Sequence, residues 1–261
     1  MENTKVTIGK LLEERAGEYP DKEAIIFNDR RITYDELNEQ AERLANFLRK
    51  RGIERGDKVA IWLPNLPEWI VAWFAVPKIG AVVVPTDPWY KSGEIEYMFN
   101  DSDTRAIITT NEYGKYNFLD ILEDVKENIP SLETVVLLEG SSEKFPTVTY
   151  DNALEEGKGW QDDEEYLKRN KNTNPDDVTF ILYTSGTTGK PKGVQLTHYQ
   201  IVKNAHDQGD ILKTSDSDKL VIPVPFSHCF GNVMSITLMV VFGGTMIPLV
   251  DFHPEKALKL V

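Results

Sequence analysis

YTSGTTGKPKG, residues 183–193, places four aliphatic hydroxyls, three glycines and two lysines in eleven positions, with no acid among them. Thr184, Ser185, Thr187 and Thr188 supply the hydroxyls. Gly186, Gly189 and Gly193 let the backbone turn tightly and approach a ligand closely. The hydroxyls and freed backbone N–H groups can donate to oxyanions, and Lys190 and Lys192 add full positive charge. This is the chemistry of a loop that holds phosphate, and its glycines predict mobility without ligand. VTFILYT (178–184) reads as a buried strand, GVQLTH (193–198) alternates and reads as a second strand, and a helix follows from about Tyr199. A Walker loop is strand–loop–helix, with four residues between its first Gly and the Gly-Lys pair. Here two residues separate Gly186 from Gly189-Lys190, and Pro191 follows, which disfavours a P-loop kinase or GTPase. The plainer reading of the stretch is a flexible surface hairpin.

The 261 residues allow one large domain or two ordinary ones, in a globular composition that is 41% hydrophobic and 27% charged. A net charge of −13 argues against general binding to nucleic acid or anionic membrane, which need basic surface. It also makes an acid-free loop more telling. A single cysteine, Cys229, excludes an intramolecular disulfide and fits a reducing, cytoplasmic setting. The N-terminus MENTKVTIGKLLEE lacks the apolar core of a signal peptide. The strongly apolar runs near 69–77 and 233–242 fall short of the ~20 residues of a spanning helix.

Strands and helices alternate along the chain. EAIIF (23–27) and RIT (31–33) read as a hairpin. Thr33 with Glu36 forms a capping box, and Leu37, Ala41, Leu44, Ala45 and Leu48 repeat at helical spacing until Gly52. DKVAIWL (57–63) is a strand, Pro67 opens a helix that Pro77 stops or bends, and AVVVP (81–85) is a buried strand. A helix over 93–102, a strand over 104–110, a helix over roughly 116–129 and a strand over 134–138 follow. This pattern predicts parallel sheets covered on both faces. The acid-rich segment 139–177 reads as a solvated surface excursion with one or two short helices.

Residues 183–193 match at every position the signature loop of the adenylate-forming enzymes, and the chain resembles that superfamily of acyl-CoA synthetases and firefly luciferase-like enzymes. RITYDELNEQAERLANFLRKRGIERGDKVAIWLPN (31–65), KIGAVVVPTDP (78–88) and PFSHCFG (225–231) look like further core motifs in the expected order. The resemblance implies an α/β fold, a layered αβαβα sandwich of two mostly parallel sheets. Residues 57–218 would form the first subdomain, with the loop at 183–193. Residues 1–56 would pack with 219–261 in an incomplete second sheet. Members of the family are about twice as long, so the resemblance implies an N-terminal piece that lacks the C-terminal half and lid, inactive alone.

The resemblance also assigns roles. Thr184, Ser185, Gly186, Thr187, Thr188, Gly189 and Lys192 would embrace the β- and γ-phosphates of ATP, with Mg2+ near Thr184, while Lys190 would be peripheral. His228 would lie beside the reacting carboxylate and the α-phosphate, and Phe230 and Gly231 would line the start of the acyl pocket. Ser227 stands where the family commonly has Phe or His, which bears on pocket shape. His198 reads as structural support. Cys229 reads as a buried packing thiol, with no carboxylate placed to orient its neighbour His228, so a Cys–His hydrolase is disfavoured. Trp62, Trp69, Trp73, Phe74 and Trp89 read as core. No Cys/His cluster has zinc spacing.

The function implied is activation of an aliphatic, fatty carboxylate as acyl-AMP, followed by transfer to coenzyme A. The alternatives are an aryl-acid or amino-acid adenylating domain, or a short non-catalytic nucleotide-binding module. The partners implied are the small-molecule carboxylate, ATP and coenzyme A, and the resemblance allows a homodimer.

Overall fold

The computed structural model describes residues 4–114, 116–184 and 190–260. Helix α1 (Ile8–Glu18) leads to the hairpin of β1 (Glu23–Phe27) and β2 (Arg30–Thr33), then to α2 (Tyr34–Lys50). β3 (Lys58–Trp62), α3 (Pro67–Lys78), β4 (Val82–Pro85), α4 (Ser92–Asp101) and β5 (Thr104–Thr109) alternate after it. A two-stranded ribbon of β6 (Glu112–Tyr113) and β7 (Tyr116–Asn117) precedes α5 (Phe118–Val125), β8 (Thr134–Leu137), β9 (Val148–Thr149), α6 (Tyr150–Glu156) and α7 (Glu164–Lys171). β10 (Val178–Thr184) and β11 (Lys192–Thr197) form the next hairpin, followed by α8 (His198–Leu212) and β12 (Lys219–Ile222). A helical turn α9 (Cys229–Gly231) runs into a π-helix (Asn232–Thr237) and α10 (Leu238–Phe242), and β13 (Thr245–Pro248) and α11 (Pro254–Leu260) complete the described chain.

The strands form two mainly parallel sheets, as the alternation predicts. One has the order β11-β10-β4-β3-β5-β8-β9, with only β11 antiparallel to its neighbour. The other has the order β12-β13-β1-β2, in which the N-terminal hairpin is joined in parallel to β13 through β1. β3 shows why the strands read as unbroken apolar runs. Val59 and Ile61 face one core cluster and Ala60 and Trp62 the other, so both faces are dry. On the outer face lie Ile95, Met98 and Phe99 of α4 and Phe118 and Leu122 of α5. On the inner face lie α1, α2 and α3.

α3 is buried on all sides, from Trp69 through Lys78, which is why its sequence is apolar all round. Trp73 stacks on Trp69 at 5.6 Å and meets the Phe180 edge of β10 at 5.4 Å, so the helix is keyed to the strand that leads into the glycine-rich loop. Pro67 occupies the first turn, where a missing N–H costs nothing, and Pro77 sits one residue before the helix ends.

That last residue, Lys78, is wholly buried and still charged-paired. Its ammonium reaches Glu42 Oε1 of α2 at 2.6 Å and Glu13 Oε1 of α1 at 2.9 Å. Tyr166 of α7 donates its hydroxyl to Glu42, and Asn170 of α7 donates to Glu13 at 2.7 Å. The Lys78 stem passes over Gly9, where a Cβ would come within 2.6 Å of Lys78 Cγ. Burial raises the Glu13 carboxyl, but the Lys78 charge and the hydrogen bonds from Asn170 and Lys78 outweigh it and bring the pKa down to about 2.

Three elements differ from the sequence reading. The helix expected over 116–129 opens only at Phe118, capped by Asn117, because the preceding residues pair in the β6–β7 ribbon, and its last turn is the 3-10 stretch Lys126–Asn128. The acid-rich segment is not simply a solvated face. Asp163 caps α7 and pairs with Arg49, Glu156 pairs with Arg51, Asp177 pairs with Arg55, and Tyr166 is fully buried. Trp89 is 51% exposed rather than core, tilted against Tyr113 at 6.2 Å.

The ion cluster generates two predictions. Lys78→Met leaves Glu42 buried without its cation and should cost about 3–5 kcal/mol in urea unfolding, and adding Glu42→Leu should recover a large part of that loss. Glu13 is held below its usual 4.5, at about 2, so its contribution to stability is complete above pH 4.5 and is lost as pH falls towards 2. Glu13→Gln should flatten that acid limb, and an unchanged limb would contradict the assignment.

Candidate active site at the carboxyl ends of the strands

β10 and β4 run side by side in parallel, with Phe180 opposite Val83. Counting on equally from that register, Thr184 and Asp87 leave the sheet at the same carboxyl edge. Thr184 pairs across the hairpin with Lys192, so these two residues form the mouth from which the loop departs. Ser185, Gly186, Thr187, Thr188 and Gly189 lie outside the described residues, and with them the expected loop mobility.

The hairpin is braced by α4. Tyr183 donates its hydroxyl to Asp101 Oδ2 at 2.7 Å, and burial followed by the Asp101 carboxylate pushes that phenol above its ordinary pKa. Tyr97 donates to the Pro191 carbonyl at 3.0 Å, and the Lys190 ammonium lies 5.4 Å from the Tyr97 ring centroid. Gly193 is required here: a Cβ would meet Ile181 Cγ2 at 2.8 Å. Lys192 is exposed at the mouth, and neither lysine is paired to a carboxylate among the described residues. That suits a phosphate tail in a chain of net charge −13.

The second motif, 225–231, is a turn between β12 and the π-helix. Asn65, just beyond β3, holds it. Its Nδ2 donates to the carbonyls of Val224 at 2.8 Å and Leu249 at 3.0 Å, and its Oδ1 accepts from Phe226 N–H at 2.9 Å. One amide thus ties the carboxyl ends of both sheets together under the turn. The His228 carbonyl accepts from Gly231 N–H at 2.8 Å and Asn232 N–H at 3.1 Å. Gly231 is buried, and a Cβ there would lie 2.2 Å from the Pro225 carbonyl oxygen, so no larger residue fits the turn. The π-helix behind it is fixed by Thr237, which donates to the Asn232 carbonyl at 2.9 Å and accepts from Trp73 Nε1 at 3.2 Å.

His228 has a 59% exposed side chain, and its Nε2 lies 3.4 Å from Asp87 Oδ2, whose own side chain is 16% exposed. A carboxylate therefore does stand beside this histidine, contrary to the sequence reading. It comes from PTDP at the end of β4, too far along the chain for spacing to reveal. Cys229 is exposed rather than buried, because the turn points it away from the core. Phe230, also exposed, lines a cleft of about 370 Å³ with Leu212, Met234 and Met239, which Gln208, Asp218 and Lys219 also line towards the start of β12. Ser227 is buried below the turn. His198 lies apart from this edge. It is buried, its Nδ1 accepts from Ile8 N–H at 3.1 Å, and burial pushes its pKa down to about 4, so it is a neutral structural acceptor.

Asn65 and Asp87 went unread in the sequence as site residues. The available signal was their position: each is a polar residue shortly after the end of an apolar strand, inside a stretch already singled out. No group of three or more His, Cys, Asp or Glu side chains placed to hold a metal occurs among the described residues. No helix among them is long and apolar enough to cross a membrane.

Residues 12–261 match the AMP-binding enzyme family, and the chain belongs to it. It is 37% identical to a putative acyl-CoA synthetase, YngI, of Bacillus subtilis, over 98% of this chain and 49% of that protein. It is 27% identical to the human mitochondrial medium-chain acyl-CoA ligase ACSF2, over 98% of this chain and 44% of that protein. The fold superposes on the anthranilate CoA ligase AuaEII with a TM-score of 0.84 at 23% identity, covering 95% of this chain and 46% of that one. The chain spans about half the length of the curated relatives it matches.

Removing the Asn65 amide leaves one N–H and two carbonyls of the turn unpaired. Asn65→Ala should lower stability by about 1–3 kcal/mol in thermal or urea unfolding. Hydrogen exchange should rise in 224–232 and leave the α1–α2 contact unaffected. An exchange map unchanged at the turn would show that Asn65 does not hold it.

Proposed function

We propose that this chain is the N-terminal part of an ATP-dependent acyl-CoA synthetase that activates an aliphatic carboxylate. The observation that carries the reading is the convergence of two motifs on one edge. The mouth of the glycine-rich hairpin and the Asp87–His228 pair leave neighbouring strand ends. In the full reaction a carboxylate oxygen forms a bond to the α-phosphorus of ATP as the bond to the β-phosphate breaks, and pyrophosphate leaves. Coenzyme A thiolate then attacks the acyl carbon and AMP departs.

The barrier to the first step is charge and positioning. Thr184, the hydroxyls and N–H groups of 185–189, and Lys192 would bind the β- and γ-phosphates. Mg2+ would arrive with ATP and lie near Thr184. His228 would donate to the oxygen shared by the carboxylate and the adenylate, with Phe230 and Gly231 at the entrance to the acyl site. Support for an aliphatic acid comes from the name of the human relative. The single cysteine supports a cytoplasmic setting.

ATP with Mg2+ added to the 261-residue chain should slow hydrogen exchange across 183–193. Protection of some other segment, with this one unchanged, would defeat the reading. In a full-length parent, Thr184→Ala or Lys192→Ala should weaken ATP use about ten- to a hundredfold without unfolding, with Lys190→Ala doing less. His228→Ala should lower kcat for adenylate formation and leave ATP affinity nearly intact, because a contact made mainly in the transition state shows in kcat.

A further inference from the structure

We infer that Tyr97 is the positioning residue of Lys192. From α4 it ties the returning limb of the glycine-rich hairpin, through the Pro191 carbonyl and the Lys190 ammonium, and so sets where the next lysine stands. The inference deepens the functional reading above and rests on it for the anion that Lys192 would meet.

The helix is a firm support, because Ile95, Met98 and Phe99 are buried in the outer core. Tyr97 and Asp101 stand four residues apart on it, so they share a face, and that face is turned to the hairpin. Asp101 takes the outgoing limb: its Oδ2 accepts from the Tyr183 hydroxyl at 2.7 Å. Tyr97, half-buried, takes the returning limb: its hydroxyl donates to the Pro191 carbonyl at 3.0 Å. Pro191 has no N–H, so that carbonyl is its one polar main-chain group. The limbs meet as antiparallel partners at Tyr183 with Gly193 and at Thr184 with Lys192. Gly193 leaves room for the first tie, since a Cβ there would also lie 3.4 Å from Tyr183 Cζ. One helix thus holds both limbs at the same level, and Lys192 lies between the tied Pro191 and the paired Gly193.

The two lysines of the limb differ in what they face. The Lys190 ammonium lies 5.4 Å from the Tyr97 ring centroid, within cation–π range. Lys192 opens β11 opposite Thr184, exposed and without a carboxylate partner among the described residues. Tyr97 uses both of its parts: the hydroxyl holds the main chain, and the ring holds the first ammonium. The second charge is left for a ligand. Each contact is modest by itself, so its loss registers in the limb and not in the whole fold.

The test begins without ligand, in the 261-residue chain. Tyr97→Phe keeps the ring and removes the hydrogen bond to Pro191. It should speed hydrogen exchange in 192–194 about threefold to tenfold and leave β5 unchanged. Lys190→Ala should speed it about twofold to fivefold, while Lys190→Arg, which keeps a cation over the ring, should hold the parent rate. In a Tyr97→Leu background Lys190→Ala should add nothing. Unchanged exchange in Tyr97→Phe, with folding verified by circular dichroism, would overturn the proposal. A second arm reads Lys192 through the ATP·Mg2+ concentration that half-protects 183–193. Tyr97→Phe should raise that concentration about threefold to tenfold, but less than about twofold in a Lys192→Ala background, because Tyr97 acts through that lysine. A tyrosine that only supports the fold would give effects that multiply, and multiplication would defeat the positioning role alone. Absence of ATP protection in the parent chain would instead defeat the functional reading, and the role of Lys192 with it.

Discussion

A lysine ammonium buried between three helices organises this fold. Lys78 ends the apolar helix α3 and meets Glu42 of α2 and Glu13 of α1, while α7 adds Tyr166 and Asn170 to the same carboxylates. Burying one cation is expensive, and it is tolerated only because two anions and their hydrogen-bond donors converge on it. The convergence fixes helix register: a slide of α1 or α2 by one turn would leave a charge in the core. α3 in turn carries Trp73, which touches Phe180 of β10 and the Thr237 hydroxyl of the π-helix. The placement of α3 therefore reaches both the strand under the glycine-rich loop and the helix behind the histidine turn.

From that frame the candidate site follows by topology. In parallel sheets all carboxyl ends lie on one side, and side chains just beyond those ends meet without any local sequence relation. Asn65 follows β3, Asp87 follows β4, Thr184 ends β10 and the histidine turn follows β12. The two sheets are joined at this edge by the Asn65 amide, which bonds Val224, Phe226 and Leu249. Fixed supports of this kind limit the reorganisation required when a ligand arrives.

Much of the fold was legible because its elements obey local rules. The capping box at Thr33 and Glu36, the stop at Gly52 with φ +82°, and the apolar runs of β3, β4, β5 and β10 each form where local chemistry predicts. The misreadings have a common physical origin. Trp89, Cys229 and the acidic segment were judged by residue type, whereas their exposure or pairing depends on what the tertiary fold brings beside them. Arg49, Arg51 and Arg55 turn acids that look solvated into anchors. The Asp87–His228 contact was hidden for the same reason, since two short motifs on different sheets become neighbours only once both sheets exist.

In the frame, acids and bases neutralise one another in specific pairs, from Lys78 and Glu42 to Arg105 with Asp57 and Glu133. At the carboxyl edge Lys190 and Lys192 carry no carboxylate partner among the described residues, although acids outnumber bases by thirteen. They share that state with other lysines, among them Lys91, Lys168 and Lys213. In the proposed reading Lys192 differs from those lysines by its place at the mouth of the glycine-rich hairpin, where an ATP tail would complete its charge and make binding energy available at the place where the carboxylate must be positioned against the phosphate.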